Sequence, residues 1–283
     1  MFARRLLRDS GSQFIGDSLS VSASAVYSVR RFYSNYLGSL MTVRRSSDNE
    51  VRGIGSISNG DLNIPDLIDF VGVGNGFAAT WLDQSGNSRN LPQPTTAIQP
   101  QIVTSGVVNL VNGRPAIRFN GTSTSLVNGS VGLPIGANPR TMNVVYKPET
   151  TLGTNSICGQ GSTGGVGNWF LLQNRASPSG NPYFAGFNQD VTDNQSPTLA
   201  AKVASVTFDS TTVTLFRDGT QFASNARSLN TTGDFFRVGV SPNAIEWGNL
   251  FVQEITFFPS VLSGNDRQLL ERNQGAYFGI TVI

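Results

Sequence analysis

Short runs of alternating apolar and polar residues dominate the second half of the chain, and glycine, asparagine or serine separates most of them. Alternation over four to eight residues is typical of half-buried strands. The predicted strands are 142–146, 169–173, 183–187, 203–208, 213–216, 221–223, 235–240 and 250–258. Strands at such turn-delimited intervals favour a β-sandwich over alternating strands and helices.

The first half of the chain contains both helical and strand patterns. Val26, Val29 and Tyr33 follow a helical spacing, which predicts a helix over 25–36 with Ser24 as its cap. Pro65 predicts the start of a short helix over 66–71, because proline is tolerated in the first helical turn. Further strands are predicted at 40–44, 76–82 and 115–120.

Turn and cap residues add three predictions. Asn112-Gly113 and Asp218-Gly219 are the residue pairs that two-residue hairpin turns favour. Ser263, with Asp266 three residues later, is typical of a helix N-terminus. It predicts a third helix near 265–274.

Composition supports an all-β fold. Charged residues make up 13% of the 283 residues, about half the globular average of roughly 25%, while 31 glycines and 13 prolines suit many short strands joined by turns. The expected organisation is an N-terminal arm over residues 1–20 and one β-sandwich with a few short helices over 21–283. The sequence contains no internal repeat.

The absence of histidine restricts the chemistry most. It excludes Ser-His-Asp and Cys-His relays and imidazole zinc sites, so any catalysis would use carboxylates. Cys158 is the only cysteine, so no intrachain disulfide can form, and a buried apolar role is expected for it. Synthesis and folding in a reducing cytoplasm follow as the expectation.

Net charge is 20 − 18 = +2, and positive charge is concentrated near the start of the chain. Arginines there occur in doublets, without a sustained basic run or basic helical stripe, so no specific nucleic-acid binding is expected. No segment has the 18 or more apolar residues of a membrane-spanning helix. Polar residues follow the charged start where a signal peptide needs an apolar run.

The end of the chain carries a fold resemblance. Thr214-Leu-Phe-Arg-Asp-Gly-Thr220, and the strand from Phe251 that leads into the helix after Ser263, are similar to the concanavalin A-like, or laminin-G-like, jelly roll. The resemblance covers roughly the last 150 residues. It implies a sandwich and names no ligand.

The start of the chain carries a more specific resemblance. The segments AVYSVRR from Ala25, VRRSSDN from Val43 and TWLDQSGN from Thr80 resemble the opening of the catalytic sandwich of arabinofuranosidase B-type glycosidases. Retaining enzymes of this kind use two carboxylates about 5–5.5 Å apart. The resemblance implies a nucleophile near Gln189 and Asp190 and an acid near Ser241-Pro-Asn243.

The family's glutamate and aspartate are therefore replaced at the matching positions, and its disulfides are missing. This favours a scaffold without hydrolytic activity, in which no single carboxylate is essential. The alternative stays open, because a shift of one residue puts Asp190 at the nucleophile position and brings Glu246 within reach of the acid position. That alternative is a retaining glycosidase of arabinofuranosidase type.

Three groups of residues are candidates for binding. Trp247 in a loop, with Asn243 and Tyr183, is a candidate glycan platform, although aromatic residues within strands more often belong to the core. Asp83 in DQSGN is a weak calcium candidate, and a turn braced by side-chain hydrogen bonds would need the same residues. No other metal or cofactor is expected. Phe2, Arg4, Arg5 and Arg8 are the candidates for assembly.

An arabinofuranosidase-like opening joined to a laminin-G-like sandwich resembles bacteriophage virion proteins of the tail fibre or surface. The resemblance implies a structural protein made in the host cytoplasm and used in the virion. Its expected partners are other virion subunits, further copies of itself and a host surface glycan. A stand-alone glycan-binding module is the remaining alternative.

Overall fold

The computed structural model describes residues 13–129, 132–175, 183–192 and 198–283, and of Arg175 and Tyr183 only the backbone. Within these ranges the chain forms twenty strands and two α-helices. The strands are β1 (Ala25–Ser28), β2 (Met41–Arg45), β3 (Val51–Ile54), β4 (Gly76–Trp81), β5 (Leu91–Pro92), β6 (Gln101–Thr104), β7 (Val107–Val108), β8 (Leu110–Val111), β9 (Arg114–Pro115), β10 (Ile117–Asn120), β11 (Leu126–Asn128), β12 (Arg140–Pro148), β13 (Thr154–Gly161), β14 (Trp169–Arg175), β15 (Tyr183–Ala185), β16 (Lys202–Phe208), β17 (Thr212–Arg217), β18 (Thr220–Ala226), β19 (Phe236–Val238) and β20 (Asn249–Phe258). The helices are α1 (Ile64–Val71) and α2 (Gly264–Phe278).

Two antiparallel sheets make up the sandwich, and β8 and β9 form a separate two-stranded pair. The larger has the order β18-β17-β16-β12-β20-β10-β6-β4-β2-β3, and the smaller has the order β11-β19-β13-β14-β15. Strand β20 lies inside the larger sheet, with β12 on one side and with β10 and β1 in succession on the other. Sequence-distant segments therefore meet in one sheet, as expected for a jelly roll.

The core lies between the two sheets. Phe170 and Phe236 of the smaller sheet pack edge-on against Phe257 of the larger one, each with ring centroids 6.2 Å apart. Tyr27 stacks on Phe236 at 6.0 Å. Aromatic contacts of this geometry add to the free energy gained from burial itself. The fold is thus the concanavalin A-like β-sandwich that the sequence predicts.

Both predicted hairpin turns and the predicted helix starts at Pro65 and Ser263 are confirmed. Asn112 and Asp218, each followed by a glycine, have positive φ values of 50° and 49°, which the two-residue turn requires. Ser263 caps α2 by accepting a hydrogen bond from the Asp266 amide at 3.1 Å. Pro65 lies in the first turn of α1. Among the described residues no helix is long and apolar enough to cross a membrane.

The predicted helix over 25–36 is wrong. Residues 25–28 form β1, which pairs antiparallel with β20, and all four side chains are buried. Ala25 and Tyr27 face the main core, while Val26 packs into a second apolar cluster with Phe32 on the other face. Because apolar residues cover both faces, the run lacks the alternation that marks a half-buried strand, and its apolar positions also fit a helical spacing.

Helix α2 covers the outer face of the larger sheet through a connected set of polar side chains, called here the polar layer. Its members are Arg30, Asn143, Ser205, Glu254, Arg267, Glu271 and Gln274. Fully buried Glu254 accepts hydrogen bonds from Arg30 Nε at 2.8 Å, Ser28 Oγ at 2.6 Å and Gln274 Nε2 at 2.9 Å. Gln274 also donates to Asn143, and Ser205 donates to Glu271. Every carboxylate in this layer has a partner, which buried charge requires.

Candidate functional site

A cleft of about 210 Å³ opens on the outer face of the smaller sheet. Its lining comprises Trp169, Gln173, Ala185, Phe187, Asn188, Asp190, Asn243 and Glu246. Strand alternation explains which side chains reach it, because successive side chains in a strand point to opposite faces. Phe170 and Leu172 of β14 belong to the main core, so Trp169 and Gln173 point outward.

The turn after β15 forms one wall of the cleft. Phe187 and Asn188 both have positive φ, 53° and 62°. Asp190 Oδ1 accepts a hydrogen bond from the Gly186 amide at 2.9 Å, and the Phe187 carbonyl accepts one from the Gly167 amide at 3.0 Å. A bulky residue at positive φ costs of order 1–3 kcal/mol, and such conformations concentrate at binding sites.

Aromatic packing holds this turn in place. The Trp169 and Phe187 rings meet edge to face with centroids 5.0 Å apart. The Trp169 indole N–H donates to the Ser162 carbonyl at 2.9 Å, which fixes the ring orientation. Trp169 is 5% exposed, so its ring is a fixed wall and not a mobile surface group.

The loop between β19 and β20 positions Glu246. The Glu246 amide donates to Ser241 Oγ at 3.1 Å, and its carbonyl accepts from the Ser241 amide at 3.0 Å. Ala244 within this loop has a positive φ of 58°. From β14, Gln173 Nε2 donates to Glu246 Oε2 at 2.6 Å and to Ser156 Oγ at 3.1 Å. The carboxylate is therefore oriented from both the loop and the sheet.

The structure brings Asp190 and Glu246 to the same cleft, although they are 56 positions apart in the chain. Among the described residues, no lysine or arginine lines it. The neighbouring Arg227 donates from Nε and Nη2 to the Asp190 carbonyl, at 2.9 and 2.7 Å, and from Nη1 to the Ala226 carbonyl. Its donors are thus directed at backbone oxygens, and the cleft presents acids, amides and aromatic rings.

Of the other residues predicted to bind a glycan, one lines the cleft and one does not. Asn243 lines the cleft, and its Oδ1 accepts from Ser241 Oγ. Trp247 is half-buried, forms a bridge with Val240 and does not line the cleft. The side chain of Tyr183 and the whole of Phe2, Arg4, Arg5 and Arg8 lie outside the described residues. Gln189 accepts a hydrogen bond from the Ser228 amide at 3.1 Å and is also absent from the lining.

Asp83 lies in a buried turn and not in the cleft. Its Oδ1 accepts from the amides of Val26 and Ser85, both at 2.9 Å, and its Oδ2 accepts from Ser85 Oγ and the Arg89 amide. Both oxygens are thus engaged in fixing the loop after β4 against β1. No group of three or more acidic or cysteine side chains within the described ranges could hold a metal ion.

Sequence reasoning missed much of the cleft wall. Trp169 was predicted to lie in a strand, where aromatic residues are more often core, and nothing singled out Gln173 or Phe187. The alternation of Trp169 with core residues was an available signal for its outward direction. Asn188 after Phe187 was an available signal for a turn, since asparagine tolerates positive φ.

The sandwich is similar to known glycosidase structures. A mutant GH54 α-L-arabinofuranosidase soaked with 4-nitrophenyl α-L-arabinofuranoside matches at a TM-score of 0.74 and 16% identity, over 92% of this chain and 63% of that one. An arabinofuranosidase complexed with arabinofuranosyl-α-1,2-xylobiose matches at 0.72 and 17%, with the same coverage. The receptor-binding domain of botulinum neurotoxin D matches at 0.51 and 14%, over 69% of this chain and 50% of that one.

These likenesses show a shared fold. The present chain spans 63% of the length of the arabinofuranosidase chains that it matches. No family model matches the sequence, and no curated protein matches it. The class that the fold defines is therefore the concanavalin A-like β-sandwich.

Proposed function

We propose that this protein binds a carbohydrate in the cleft of the smaller sheet. The observation that carries the proposal is the convergence of Asp190, Asn243 and Glu246 beside the walls formed by Trp169 and Phe187. A sugar ring presents hydroxyl groups at its edge and C–H groups on its faces. Carboxylate and amide oxygens accept hydrogen bonds from hydroxyls, and aromatic walls pack on apolar surface.

The charges of the cleft favour an uncharged glycan. Two carboxylates and, in the part of the chain that the structure describes, no cationic side chain line it, so an acidic sugar would bring like charges together. Like charges at short range in a partly desolvated site are unfavourable. One structural neighbour, the ligand-binding domain of botulinum neurotoxin serotype D, is a complex with N-acetylneuraminic acid. For the present cleft we expect weak binding of that acid.

A glycan array that includes matched neutral and acidic glycans tests the proposal. Neutral glycans should bind, and Glu246→Ala and Asn243→Ala should each weaken the binding at least about tenfold, which corresponds to about 1.4 kcal/mol. Asp69→Asn is the matched control, because Asp69 is an exposed acid on α1 away from the cleft. Equal binding by wild type and both cleft variants would contradict the proposal.

A retaining arabinofuranosidase-type glycosidase is the second candidate. The observation that favours it is that Asp190 and Glu246 line one cleft. A retaining enzyme further requires their carboxyl groups to lie about 5–5.5 Å apart. Release of nitrophenol from an aryl α-L-arabinofuranoside is the assay. If the candidate is right, Asp190→Asn and Glu246→Gln should each remove most of the release. Absence of release by wild-type protein that binds neutral glycans would support binding alone.

The finer proposal is a virion component that joins other subunits through residues 1–20 and presents the sandwich to a host glycan. Within that segment, Ile15 packs into the second apolar cluster with Phe32 and Leu270. Deletion should therefore be limited to residues 1–12, which leaves this packing intact. The expected result is a folded protein that no longer joins its assembly, and unchanged incorporation would remove the arm from the proposal.

A further inference from the structure

A second concave site, called here the larger-sheet pocket, lies on the outer face of the larger sheet, on the opposite side of the sandwich from the cleft. Its volume is about 210 Å³, and Phe77, Gln101 and Arg118 line it from the adjacent strands β4, β6 and β10. Their neighbours within these strands belong to the main core: Ala78, Ile102 and Ile117. Because side chains alternate along a strand, the three lining side chains point outward.

Arg118 supplies the charge of this pocket. Among the described residues it is the only charged side chain in the lining. Its Nε donates to Glu149 Oε2 at 2.7 Å, while Nη1 and Nη2 have no hydrogen-bond partner in the described part of the chain. The side chain of Gln101, which lies opposite Arg118 in the strand pairing, also has no hydrogen bond there. Glu149 thus anchors the guanidinium from one side and leaves its terminal donors available to a ligand.

A second arginine lies behind the pocket. Arg44 is 7% exposed, and its Cζ lies 4.4 Å from the centroid of the Phe77 ring. Its Nε donates to Gln99 Oε1 at 2.7 Å, and Gln99 itself lines the pocket. The remaining donors bond Asn49 Oδ1 and the Thr96 carbonyl, so within the described ranges this buried cation has only neutral hydrogen-bond partners. An anionic group in the pocket would be attracted by both guanidinium groups.

We propose that the larger-sheet pocket binds the carboxylate of an acidic sugar. The carboxylate accepts two hydrogen bonds from Arg118 Nη1 and Nη2, the paired geometry for which arginine is suited. The free Gln101 amide can donate to or accept from ring hydroxyls, and the Phe77 ring offers apolar surface to C–H groups. This site is separate from the cleft, which two carboxylates line, so the two sites prefer sugars of different charge.

A nuclear magnetic resonance titration of the ¹⁵N-labelled protein tests the site. The probes are glucuronate and galacturonate, and the controls are glucose and galactose, which lack the carboxylate, and acetate, which lacks the sugar ring. At least one uronate should shift the amides of Gln101 and Arg118, with a Kd at least about tenfold lower than those of the controls at the same amides. No shift with either uronate would overturn the proposal. Equal affinity for the neutral sugars would overturn carboxylate recognition, and equal affinity for acetate would overturn sugar recognition.

Arg118→Lys and Arg52→Lys are a matched pair of variants. Both arginine side chains are partly exposed, at 39% and 41%, and each pairs with one carboxylate, but Arg52 does not line the pocket. Lysine keeps the charge and cannot form the paired hydrogen bonds, so Arg118→Lys should weaken uronate binding at least about tenfold. Arg52→Lys should leave it unchanged. Wild-type affinity in Arg118→Lys, or an equal loss in both variants, would overturn the proposal.

The cleft variant Glu246→Ala separates this site from the proposed function. It should weaken neutral glycans and leave uronate binding at Gln101 and Arg118 unchanged, because the two sites lie on opposite faces. Loss of uronate binding in Glu246→Ala would place the acidic sugar in the cleft and overturn the inference. Retained uronate binding without any neutral-glycan binding would instead contradict only the function proposed for the cleft.

Discussion

The polar layer beneath α2 and the cleft on the smaller sheet use the same kinds of residue in opposite ways. In the layer, Glu254 is fully buried and accepts hydrogen bonds from three different side chains. In the cleft, Glu246 is half-buried, and Gln173 donates to one of its oxygens. The comparison teaches that partners and burial, not residue type, distinguish a structural carboxylate from one available to a ligand.

The largest expected effect on stability comes from a substitution in the polar layer. Glu254→Ala leaves the Arg30 guanidinium buried without its ion-pair partner, and breaking such a pair costs about 3–5 kcal/mol in the free energy of unfolding. Chemical denaturation measures the loss. Glu149→Ala is the matched control, because it breaks the partly exposed pair with Arg118 and should cost about 1 kcal/mol or less. Equal losses in both variants would remove the contrast between buried and exposed pairs.

A pH series tests Glu271, the second carboxylate of the polar layer. Burial raises the pKa of Glu271 above its ordinary value of 4.5, against the opposing effects of Ser205 and Arg267. A raised native pKa means that the folded state binds this proton more tightly than the unfolded state. The resulting stability is present below pH 4.5 and is lost as the pH rises through the native pKa.

The measurement is the free energy of unfolding of wild type and Glu271→Gln across this range. The glutamine variant cannot titrate, so wild type should lose stability relative to it as the pH rises. A relative gain would mean that the ion pair with Arg267 outweighs burial.

Substitutions in the cleft should change stability little and ligand binding strongly, unlike those in the polar layer. Glu246→Gln and Asp190→Asn change groups that border solvent, so each should alter the free energy of unfolding by about 1 kcal/mol or less. The same variants should change glycan binding or hydrolysis in the assays above. A loss of stability as large as that of Glu254→Ala would place these carboxylates with the structural ones.

The smallest expected effect concerns the backbone of the cleft loop. Ala244 adopts φ 58°, which glycine adopts without the steric cost of a Cβ atom. Ala244→Gly should therefore stabilise the fold by a few tenths of a kcal/mol, since unfolded-state entropy offsets part of the gain. Precise thermal unfolding measures it. A clear destabilisation would indicate that the Ala244 methyl group itself is required.

Much of the fold could be predicted from local signals. The hairpin at Asp218-Gly219 and the cap at Ser263 are local backbone requirements that few residues satisfy, and both are confirmed. The error at 25–28 arose because β1 is covered on both faces by residues distant in sequence. No local pattern reports such long-range burial.

The candidate site was predictable only in part, for a related reason. Asp190, Asn243 and Glu246 were identified by resemblance and residue type, and the structure places them on one cleft. Which residues accompany them depends on the pairing of β14 with β13 and β15, which sets the outward side of Trp169 and Gln173. Trp247 was selected for its loop position, yet its bridge to Val240 directs it elsewhere.

The place of β20 in the larger sheet has a consequence for biosynthesis. The strand that joins β12 to β1 and β10 is the last of the twenty to leave the ribosome. Until it emerges, the two halves of this sheet remain separate, and their open edges resemble those that drive aggregation during slow β-sheet folding. Nascent chains stalled before Asn249 should therefore depend on chaperones. In chains released after Phe258, β20 should join the two halves of the larger sheet quickly.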